Sequence, residues 1–301
     1  MDLGTADSGT GPAGLGARLE RLLESGIRDS RCLGGQHGVA HYRLELADGR
    51  TAFVKVAGRS AGPAGPGFAA EASGLAWLGA AGTVPVPEVL AWDEGILAIG
   101  WVAQGPADRR GAVRFGRELA ALHAAGADGF GAPWRGVIAG LPLPNEPLAA
   151  EPGWAHWYAS ARLLPYVRLA SDAGALTAAD ARLVESAAGR AVAVAGPAEP
   201  PSRIHGDCWS GNVLWSEGRG WLIDPAAHGG HRETDLAMLA LFGAPYLDQI
   251  MAGYQEAAPL ADGWRARVPL HQLHPLLVHA CLFGTAYAAP TRTAARAVLA
   301  L

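Results

Sequence analysis

Residues 204–215 contain an aspartate, Asp207, and an asparagine, Asn212, five positions later. A second aspartate, Asp224, follows twelve positions after the asparagine. When a phosphoryl group is transferred to a hydroxyl, one carboxylate positions the hydroxyl, while an amide oxygen and another carboxylate hold Mg²⁺ against the phosphates. The spacing therefore predicts a hydroxyl kinase that uses ATP and Mg²⁺. Asp207 would be its catalytic base, and Asn212 and Asp224 its metal ligands.

These polar residues also have a purely structural interpretation. Aspartate and asparagine favour turns, so two Asx turns around a buried hairpin would give the same pattern. His205 is expected to support the catalytic loop by hydrogen bonding rather than to transfer protons. Asp235, at the start of an apolar helix, would either cap that helix or hold the backbone of the catalytic loop from below. Both alternatives give Asp235 a structural role.

A single lysine stands out in the composition. Lys55 is the only lysine in the chain, and arginine supplies the other 23 of its 24 basic residues. Arginine can replace lysine at most solvated positions, so the remaining lysine indicates a site that needs a compact ammonium group. It lies in a run typical of a β-strand, and Glu71 lies in the first turn of the next predicted helix. We expect Lys55 and Glu71 to form the ion pair that positions nucleotide phosphates. The alternatives are a solvated lysine and a carboxylate favoured by the helix N-terminus.

A glycine-rich turn precedes this lysine. Gly34, Gly35 and Gly38 lie between two predicted strands, with Gly38 seventeen residues before Lys55. Glycines allow the backbone to come close to a phosphate, as in the glycine-rich loop of kinases. An ordinary hairpin turn has the same composition. The position of the turn relative to Lys55 favours a contact with the nucleotide.

The order of the predicted elements indicates a protein-kinase-like, bilobal α+β fold. Strand patterns dominate the first hundred residues and helical patterns dominate the remainder. The expected organisation is a disordered tail (1–14), a small β-rich N-lobe (15–103) and a larger, mainly helical C-lobe (104–301). Residues 127–150, rich in Gly and Pro, are predicted to be a long functional loop without regular structure.

A hinge is expected at the lobe boundary. Its backbone N–H and C=O groups would contact the edge of an adenine ring, which constrains geometry more than side-chain type. The candidates are Gly100, Trp101 and Val102.

Composition excludes several other classes of protein. The chain has 301 residues, 50% of them apolar, and a formal charge of −4, so it lacks the basic field that a nucleic-acid partner requires. No run of about eighteen apolar residues appears, so no membrane span is expected. The first fourteen residues have neither a basic start nor an apolar core, so they do not resemble a signal peptide. Three widely spaced cysteines fit no zinc pattern or disulfide framework, which favours the cytoplasm. We expect a monomer or a weak dimer.

The motifs resemble those of a known family of small-molecule kinases. Gly206 stands where protein kinases carry arginine, and in this position the chain resembles the aminoglycoside phosphotransferase-like superfamily. Within it, HGDCWSGN (205–212) and DPAAHGGHRETDLAM (224–238) resemble the fructosamine kinase family, with Trp209 and the Gly-His-Arg-Glu run separating the chain from antibiotic kinases. The resemblance covers residues 30 to 290. No Asp-Phe-Gly motif follows, which argues against a regulated protein kinase.

This resemblance implies an ATP- and Mg²⁺-dependent ketosamine 3-kinase acting on a small-molecule or protein-bound ketoamine. The phosphorylated adduct of such a reaction is unstable and releases the amine, so the reaction serves deglycation. Candidate substrate contacts, by position in the motifs, are Trp209, His231 and Arg232. The chain departs from the family pattern at Cys208, in the Gly-Gly-Gln-His-Gly loop, and at Gly100, where the family usually has an acidic residue.

Two other functions fit the sequence. One is a kinase of the same fold acting on an aminoglycoside, an aminoalcohol or a free sugar, and the first of these would need an acidic surface for its polycationic substrate. The other is a nucleotide-binding pseudokinase scaffold. The scaffold would have no reason to retain all five of the polar residues that the kinase needs; these are Lys55, Glu71, Asp207, Asn212 and Asp224.

Overall fold

The computed structural model describes residues 12–36, 38–58, 67–146 and 153–301. Its N-terminal part is a five-stranded antiparallel sheet with a helix on each face, in the spatial order β1-β2-β3-β5-β4. The strands are β1 (Ile27–Gln36), β2 (Val39–Leu46), β3 (Thr51–Ala57), β4 (Val89–Trp92) and β5 (Ile96–Gly100), and the helices are α1 (Pro12–Leu23) and α2 (Phe68–Gly79).

The C-terminal part is mainly helical, with short pairs of strands among its helices. Its first half contains α3 (Arg109–Ala124), β6 (Gly136–Ile138), β7 (Leu141–Leu143), α4 (Trp154–Tyr158), a π-helical turn (Ala159–Leu163), α5 (Leu164–Asp172) and α6 (Ala178–Val194). Its second half contains β8 (Ser202–Ile204), β9 (Val213–Ser216), β10 (Arg219–Leu222), β11 (His228–Gly230), α7 (Glu233–Phe242), α8 (Leu247–Ala257), α9 (Trp264–Phe283) and α10 (Ala288–Leu299). The predicted α+β class and the order of the two parts are confirmed.

The sheet separates two apolar layers because its side chains alternate between its faces. In β2, Tyr42, Leu44 and Leu46 are buried against α1, and the intervening residues are half-buried. On the opposite face, Leu97 and Ile99 of β5 are buried against α2. Residues of odd number in β3 share the α2 face, so Lys55 projects toward the helix that carries Glu71.

Several boundaries differ from those that the sequence predicts. Helix α1 begins at Pro12, so residues 12–14 are helical although their composition indicated a disordered tail; residues 1–11 lie outside the described part. The sequence pattern predicts a helix that begins at Arg114, but helix α3 begins five residues earlier, at Arg109, because the Asp108 side chain accepts a hydrogen bond from the Gly111 N–H and caps it. Helix α9, predicted from the sequence pattern to begin at Leu270, begins six residues earlier, at Trp264, and runs through two prolines.

The region predicted to lack regular structure is partly a hairpin. Strands β6 and β7 pair across Val137 and Pro142, within residues 127–150, of which 147–150 are outside the described part. Strand β11, which pairs with β8, was also not predicted. Strands of three residues are too short to show an alternating pattern, so their residues carry no periodic signal.

A tyrosine hydroxyl replaces the backbone hydrogen bond that α9 loses at its second proline. Pro275 has no N–H to donate to the carbonyl of His271, four residues earlier. The Tyr158 hydroxyl instead lies 3.2 Å from the carbonyl oxygen of His271 and 3.0 Å from that of Leu270, and it accepts a hydrogen bond from the N–H of His274 at 3.2 Å. The helix therefore continues past the proline, and its last two turns reach the cleft described below.

Helices α3 and α8 cross with their backbones in contact. A Cβ atom on Gly116 would overlap the carbonyl oxygen of Ile250, and one on Gly253 would overlap that of Val113. Only glycine allows so close an approach at these positions. Within the described residues, none of the helices is both long and apolar enough to span a lipid bilayer.

Replacing Gly116 with alanine is expected to lower the free energy of unfolding by about 1–3 kcal/mol, because the added methyl group must force the two helix backbones apart. Denaturant titration measures this change. Gly189→Ala is the matched control, since a methyl group added at this exposed position in α6 would meet open space and should raise the free energy of unfolding by about 0.5–1 kcal/mol. Equal effects of the two substitutions would contradict the backbone contact.

Candidate active site

A cavity of about 600 Å³ lies between the sheet and the helical part of the chain. Its wall includes all five polar residues that the sequence singled out, and these are Lys55, Glu71, Asp207, Asn212 and Asp224. Its volume is in the range of small-molecule sites. Lys55 and Asp224, which are 169 positions apart in the chain, therefore meet in one cleft.

Lys55 holds two carboxylates at the same time. Its Nζ lies 2.7 and 2.8 Å from the two carboxylate oxygens of Glu71, and 2.7 Å from Oδ1 of Asp224. The side chain is almost fully buried, and the whole residue is 7% exposed. Burial disfavours the ammonium, but the charges of Glu71 and Asp224 outweigh it and hold the pKa of Lys55 above its ordinary value.

The two carboxylates respond differently to this arrangement. Burial raises the pKa of Glu71 to about 7, with Asp224 adding to the effect and Lys55 opposing it. Burial also acts against ionisation of Asp224, but the Lys55 ammonium keeps the pKa of that carboxyl below its ordinary value. Asp224 is therefore the negatively charged partner that faces the cavity.

The β9–β10 hairpin brings Asp224 next to Asn212. Its two-residue turn, Glu217 and Gly218, has positive φ at both positions (49° and 70°), which matches the twist of the two strands. Beyond the last strand pair, the N–H of Ile223 donates to the carbonyl oxygen of Asn212 at 3.1 Å. Asp224 then adopts φ 52°, a left-handed conformation that aspartate tolerates better than most residues.

Asn212 fixes the side chain of Asp207. Its Nδ2 donates to the backbone carbonyl and to Oδ2 of Asp207, both at 2.9 Å. Burial raises the pKa of Asp207 to about 7; the hydrogen bond from Asn212 opposes this rise, and the charges of Asp224 and Asp235 add to it. The other carboxylate oxygen of Asp207, Oδ1, accepts no hydrogen bond from the described residues.

The same hydrogen bonds leave oxygen atoms suited to a hard cation. Because Asn212 uses its Nδ2 on Asp207, its amide oxygen is left for another partner. Asp224 uses Oδ1 on Lys55, which leaves Oδ2. A carboxylate and an amide oxygen side by side are the donors that Mg²⁺ takes in nucleotide sites. The residues present fit that ion.

A buried aspartate holds the loop that carries Asp207. Asp235 accepts hydrogen bonds from the backbone N–H groups of His205 (2.7 Å) and Gly206 (2.9 Å). Its Oδ2 also lies 3.2 Å from Nε2 of His123, whose Nδ1 is 2.8 Å from the Tyr254 hydroxyl. Of the two roles open to Asp235 from sequence, the structure shows the loop anchor. His123 was given no role, although a histidine on the buried stripe of α3 was a signal.

His205 is neutral and fixed in one tautomer. The N–H of Asp207 donates to its Nδ1 at 3.2 Å, so its Nε2 carries the proton and donates to the carbonyl oxygen of Ile223 at 2.8 Å. Burial lowers its pKa, against the pull of Asp235. This ring thus joins the loop that carries Asp207 to the segment that carries Asp224.

The glycine-rich segment borders the cavity without lining it. Gly34 and Gly35 belong to the exposed end of β1, and Gly38 lies in the turn that follows, while His37 is outside the described part. A Cβ atom on Gly35 would overlap the carbonyl oxygen of Val39. The neighbours of the three glycines, Gln36 and Val39, line the cavity instead.

The three hinge candidates lie outside this cavity. The N–H of Gly100 donates to Glu88 at 2.8 Å and that of Trp101 to Thr51 at 3.0 Å, so both donors are used within the sheet. The Trp101 ring lies under the Arg43 guanidinium, whose carbon is 5.3 Å from the ring centroid. Among the described residues, the N–H of Val102 donates to no backbone carbonyl. Of the three backbone N–H groups, it is thus the one that the sheet does not use.

Only one of the three candidate substrate residues lies at the cavity. Trp209 lines the cavity and is 39% exposed. His231 is buried, with its ring 4.8 Å from that of Trp154, and Arg232 forms two hydrogen bonds of 2.7 Å with Glu199. Neither lines the cavity, because the run that carries them turns away from it into α7. Part of the cavity wall is formed instead by residues that the sequence did not indicate, and these are Val278, His279, Leu282 and Phe283.

The chain matches proteins that have been described before. A family model described as Fructosamine kinase matches residues 22–300. A protein of Klebsiella aerogenes named "Probable ketoamine kinase" is 34% identical over 257 residues, which span 83% of this chain and 85% of that protein. The solved structure of a "putative fructosamine-3-kinase" from Thermobifida fusca is 50% identical, with a TM-score of 0.90, and the match covers 99% of this chain and 100% of that one.

A more distant structure shares only the fold. An ADP-bound aminoglycoside phosphotransferase superposes with a TM-score of 0.62 at 12% identity, over 94% of this chain and 97% of that one. This likeness supports the kinase-like arrangement of a sheet followed by a helical part.

Asp235→Asn should lower the free energy of unfolding by about 1.5–3 kcal/mol, because an amide cannot accept all of the hydrogen bonds that reach this buried carboxylate. Denaturant titration of the two proteins checks this. Glu185→Gln, a change at an exposed position of α6, is the control and should shift stability by less than about 0.5 kcal/mol. An Asp235→Asn protein as stable as the control would show that the anchor does not hold the loop.

Proposed function

The chain belongs to the fructosamine kinase family, and from this phosphotransferase identity we propose that it transfers the γ-phosphoryl group of ATP to the 3-hydroxyl of a ketosamine. The observation that carries the proposal is the meeting of Lys55, Glu71, Asp207, Asn212 and Asp224 in one cavity. The phosphorylated adduct would then break down and release the amine, so the reaction would serve deglycation.

The nucleotide would occupy the part of the cavity next to the sheet. Lys55 offers a buried ammonium there, held in place by Glu71, and an ammonium in this position attracts phosphate oxygens. The ADP found in the distantly related phosphotransferase is consistent with a nucleotide in this fold. Gly34, Gly35 and Gly38 would cover the phosphates from above. Of the hinge candidates, which lie outside the cavity itself, Val102 would offer its backbone N–H to the adenine edge, since the N–H groups of Gly100 and Trp101 are used within the sheet.

Asn212 and Asp224 would hold Mg²⁺ through the two oxygens that their protein contacts leave over. When bound, the ion would neutralise charge on the phosphates. Lys55 would keep Asp224 ionised and turned toward the cavity. The His205 ring, bonded to both neighbouring segments, would maintain the spacing of Asp207 and Asp224.

Asp207 would act on the acceptor hydroxyl. Its Oδ2 is held by Asn212, and its Oδ1 is left to accept the hydroxyl proton. As the hydroxyl oxygen forms its bond to the γ-phosphorus, the proton would pass to Oδ1, and the bond from phosphorus to the departing ADP oxygen would break. A fixed carboxylate of this kind contributes by positioning the nucleophile as well as by taking its proton.

The cavity wall argues against the aminoglycoside alternative. Among the described residues that line it, the carboxylates are Glu71, Asp207 and Asp224, and all three already have partners in the phosphoryl-transfer site. A polycationic acceptor would need further acidic groups. The pseudokinase alternative would leave the complete set of five polar residues without a purpose.

The direct test is to incubate the protein with ATP, Mg²⁺ and a fructosyl-amine or ribulosyl-amine, and to follow the products by mass spectrometry. We expect an adduct heavier by one phosphate, which then breaks down to the free amine. Phosphorylation of an aminoglycoside or an aminoalcohol in place of the ketosamine would support the alternative function, a kinase of the same fold with a different acceptor. Bound nucleotide without transfer to any acceptor would favour the scaffold.

Asp207→Asn is expected to reduce turnover at least about a hundredfold, because the amide cannot accept the hydroxyl proton. Nucleotide binding, measured by titration calorimetry, should be retained, since the Lys55 and Asp224 contacts are unchanged. Asp172→Asn, at the exposed end of α5, is the matched control and should turn over like the wild type. Turnover of Asp207→Asn close to the control would remove this residue from the mechanism.

A further inference from the structure

An aromatic strip leads away from the catalytic loop along one wall of the cavity. We define it as the rings of Trp209, Phe242, His279, Phe283 and Tyr287. The centroids of Trp209 and Phe242 are 6.1 Å apart, and those of Phe242 and His279 are 4.8 Å apart. His279 in turn lies 5.5 Å from Phe283 and 4.8 Å from Tyr287. The rings come from three segments that are separate in sequence: the loop that carries Asp207, the end of α7, and the end of α9 together with the turn that follows it.

The two ends of the strip leave apolar surface open. Trp209 is 39% exposed and Phe283 is 52% exposed, and both line the cavity that contains Asp207. Leu282 and Val278 line the same wall. Large apolar side chains that are exposed together inside a concave site are typical of ligand-binding surfaces.

The strip carries no charge. The Nδ1 of His279 lies 2.8 Å from the carbonyl oxygen of Pro275 and donates to it, and burial lowers the pKa of this ring despite that bond. The described cavity residues that α9 contributes, Val278, His279, Leu282 and Phe283, include neither a carboxylate nor a guanidinium. The surface is therefore suited to an apolar group rather than to an ionic one.

The chemistry of the acceptor places one group beside this strip. In a ketosamine, the amine nitrogen is bonded to C1, two carbons from the C3 hydroxyl that must reach Asp207. The substituent on that nitrogen therefore lies within a few bonds of the reacting atoms. The sheet side of Asp207 is taken by Lys55 and Asp224, which would serve the phosphates, so the substituent would extend toward the remaining walls. Of these, the β6–β7 hairpin contributes no aromatic ring, and the helical wall contributes the exposed ring of Phe283.

We propose that the aromatic strip is the subsite for the amine substituent of the ketosamine, and that it selects adducts of aromatic or aliphatic amines over adducts of small polar or cationic ones. This proposal rests on the proposed function. It assigns a specificity role to Phe283 and Phe242, which no motif near the catalytic loop contains. Contact of an aromatic substituent with the strip removes apolar area of both from water.

The test compares three acceptors at saturating ATP and Mg²⁺. They are the fructosyl adducts of glycine, of phenylalanine and of putrescine, which present a small, an aromatic and a cationic substituent. We expect kcat/KM for the phenylalanine adduct to exceed that of the other two at least about tenfold, the low end for a hydrophobic pocket. In Phe283→Ala, the ratio of the phenylalanine to the glycine adduct should fall toward one, mainly through KM.

Trp92→Ala is the matched control, because this aromatic residue is 47% exposed on β4 and does not line the cavity. It should leave both the rates and their ratio unchanged. Equal kcat/KM for the three adducts in the wild-type protein would overturn the subsite, and this result needs no variant to fold. So would a ratio that Phe283→Ala leaves unmoved. Failure to phosphorylate any of the adducts would instead overturn the proposed function, and the subsite with it.

Discussion

The structure depends on one ammonium group shared between two carboxylates. Lys55 belongs to the sheet, Glu71 to the helix packed on it and Asp224 to the segment after the β9–β10 hairpin, so a single side chain joins three separately formed elements. A buried carboxylate without such a partner is costly, and the loss of one member of a buried ion pair is more damaging than the loss of the pair. The closeness of the sheet to the helical part is therefore tied to the charge state of the cleft itself. The charged atoms that would bind the nucleotide and the metal ion are the same atoms that join the sheet to the helical part.

A second buried polar cluster, centred on Asp235, holds the loop that carries Asp207, which Lys55 does not contact. Asp235 lies at the start of α7 and accepts both backbone N–H groups that precede Asp207, while His123 and Tyr254 fix Asp235 from α3 and α8. The two helices that are in contact at Gly116 are thus connected to the loop that carries Asp207 through a short series of hydrogen bonds. The loop that carries Asp207 is hydrogen-bonded to a helical base through Asp235, whereas Asp224 is held by Lys55 of the sheet. Both meet at Asn212, which hydrogen-bonds Asp207 and leads directly into the hairpin.

Features with a local sequence signal could be predicted, whereas features that depend on contacts between distant segments could not. Lys55 was identifiable because it is the only lysine, and the spacing from Asn212 to Asp224 was interpretable because a tight turn at Gly218 closes the hairpin between them. These are local patterns. The strands β6, β7 and β11 are too short to carry a period, and their pairing depends on contacts made elsewhere in the fold. His231 lies close to the catalytic motif in sequence but not to the cavity, since the chain turns away into α7. The aromatic strip has the opposite character: its rings come from segments far apart in sequence, so no motif unites them. The lobe boundary near residue 103 and the roles of the individual site residues stay predictions.

The scarcity of lysine also has a chemical consequence for the protein's own exposure to sugars. Reducing sugars condense with the free, unprotonated form of an amine. The one lysine side chain of this protein is buried at 7% exposure, and its two carboxylate partners hold its pKa above the ordinary value. The folded chain therefore offers a reducing sugar no accessible side-chain amine. In a protein proposed to act on the products of sugar–amine condensation, the placement of a single residue thus makes the side chains poor targets for that same reaction.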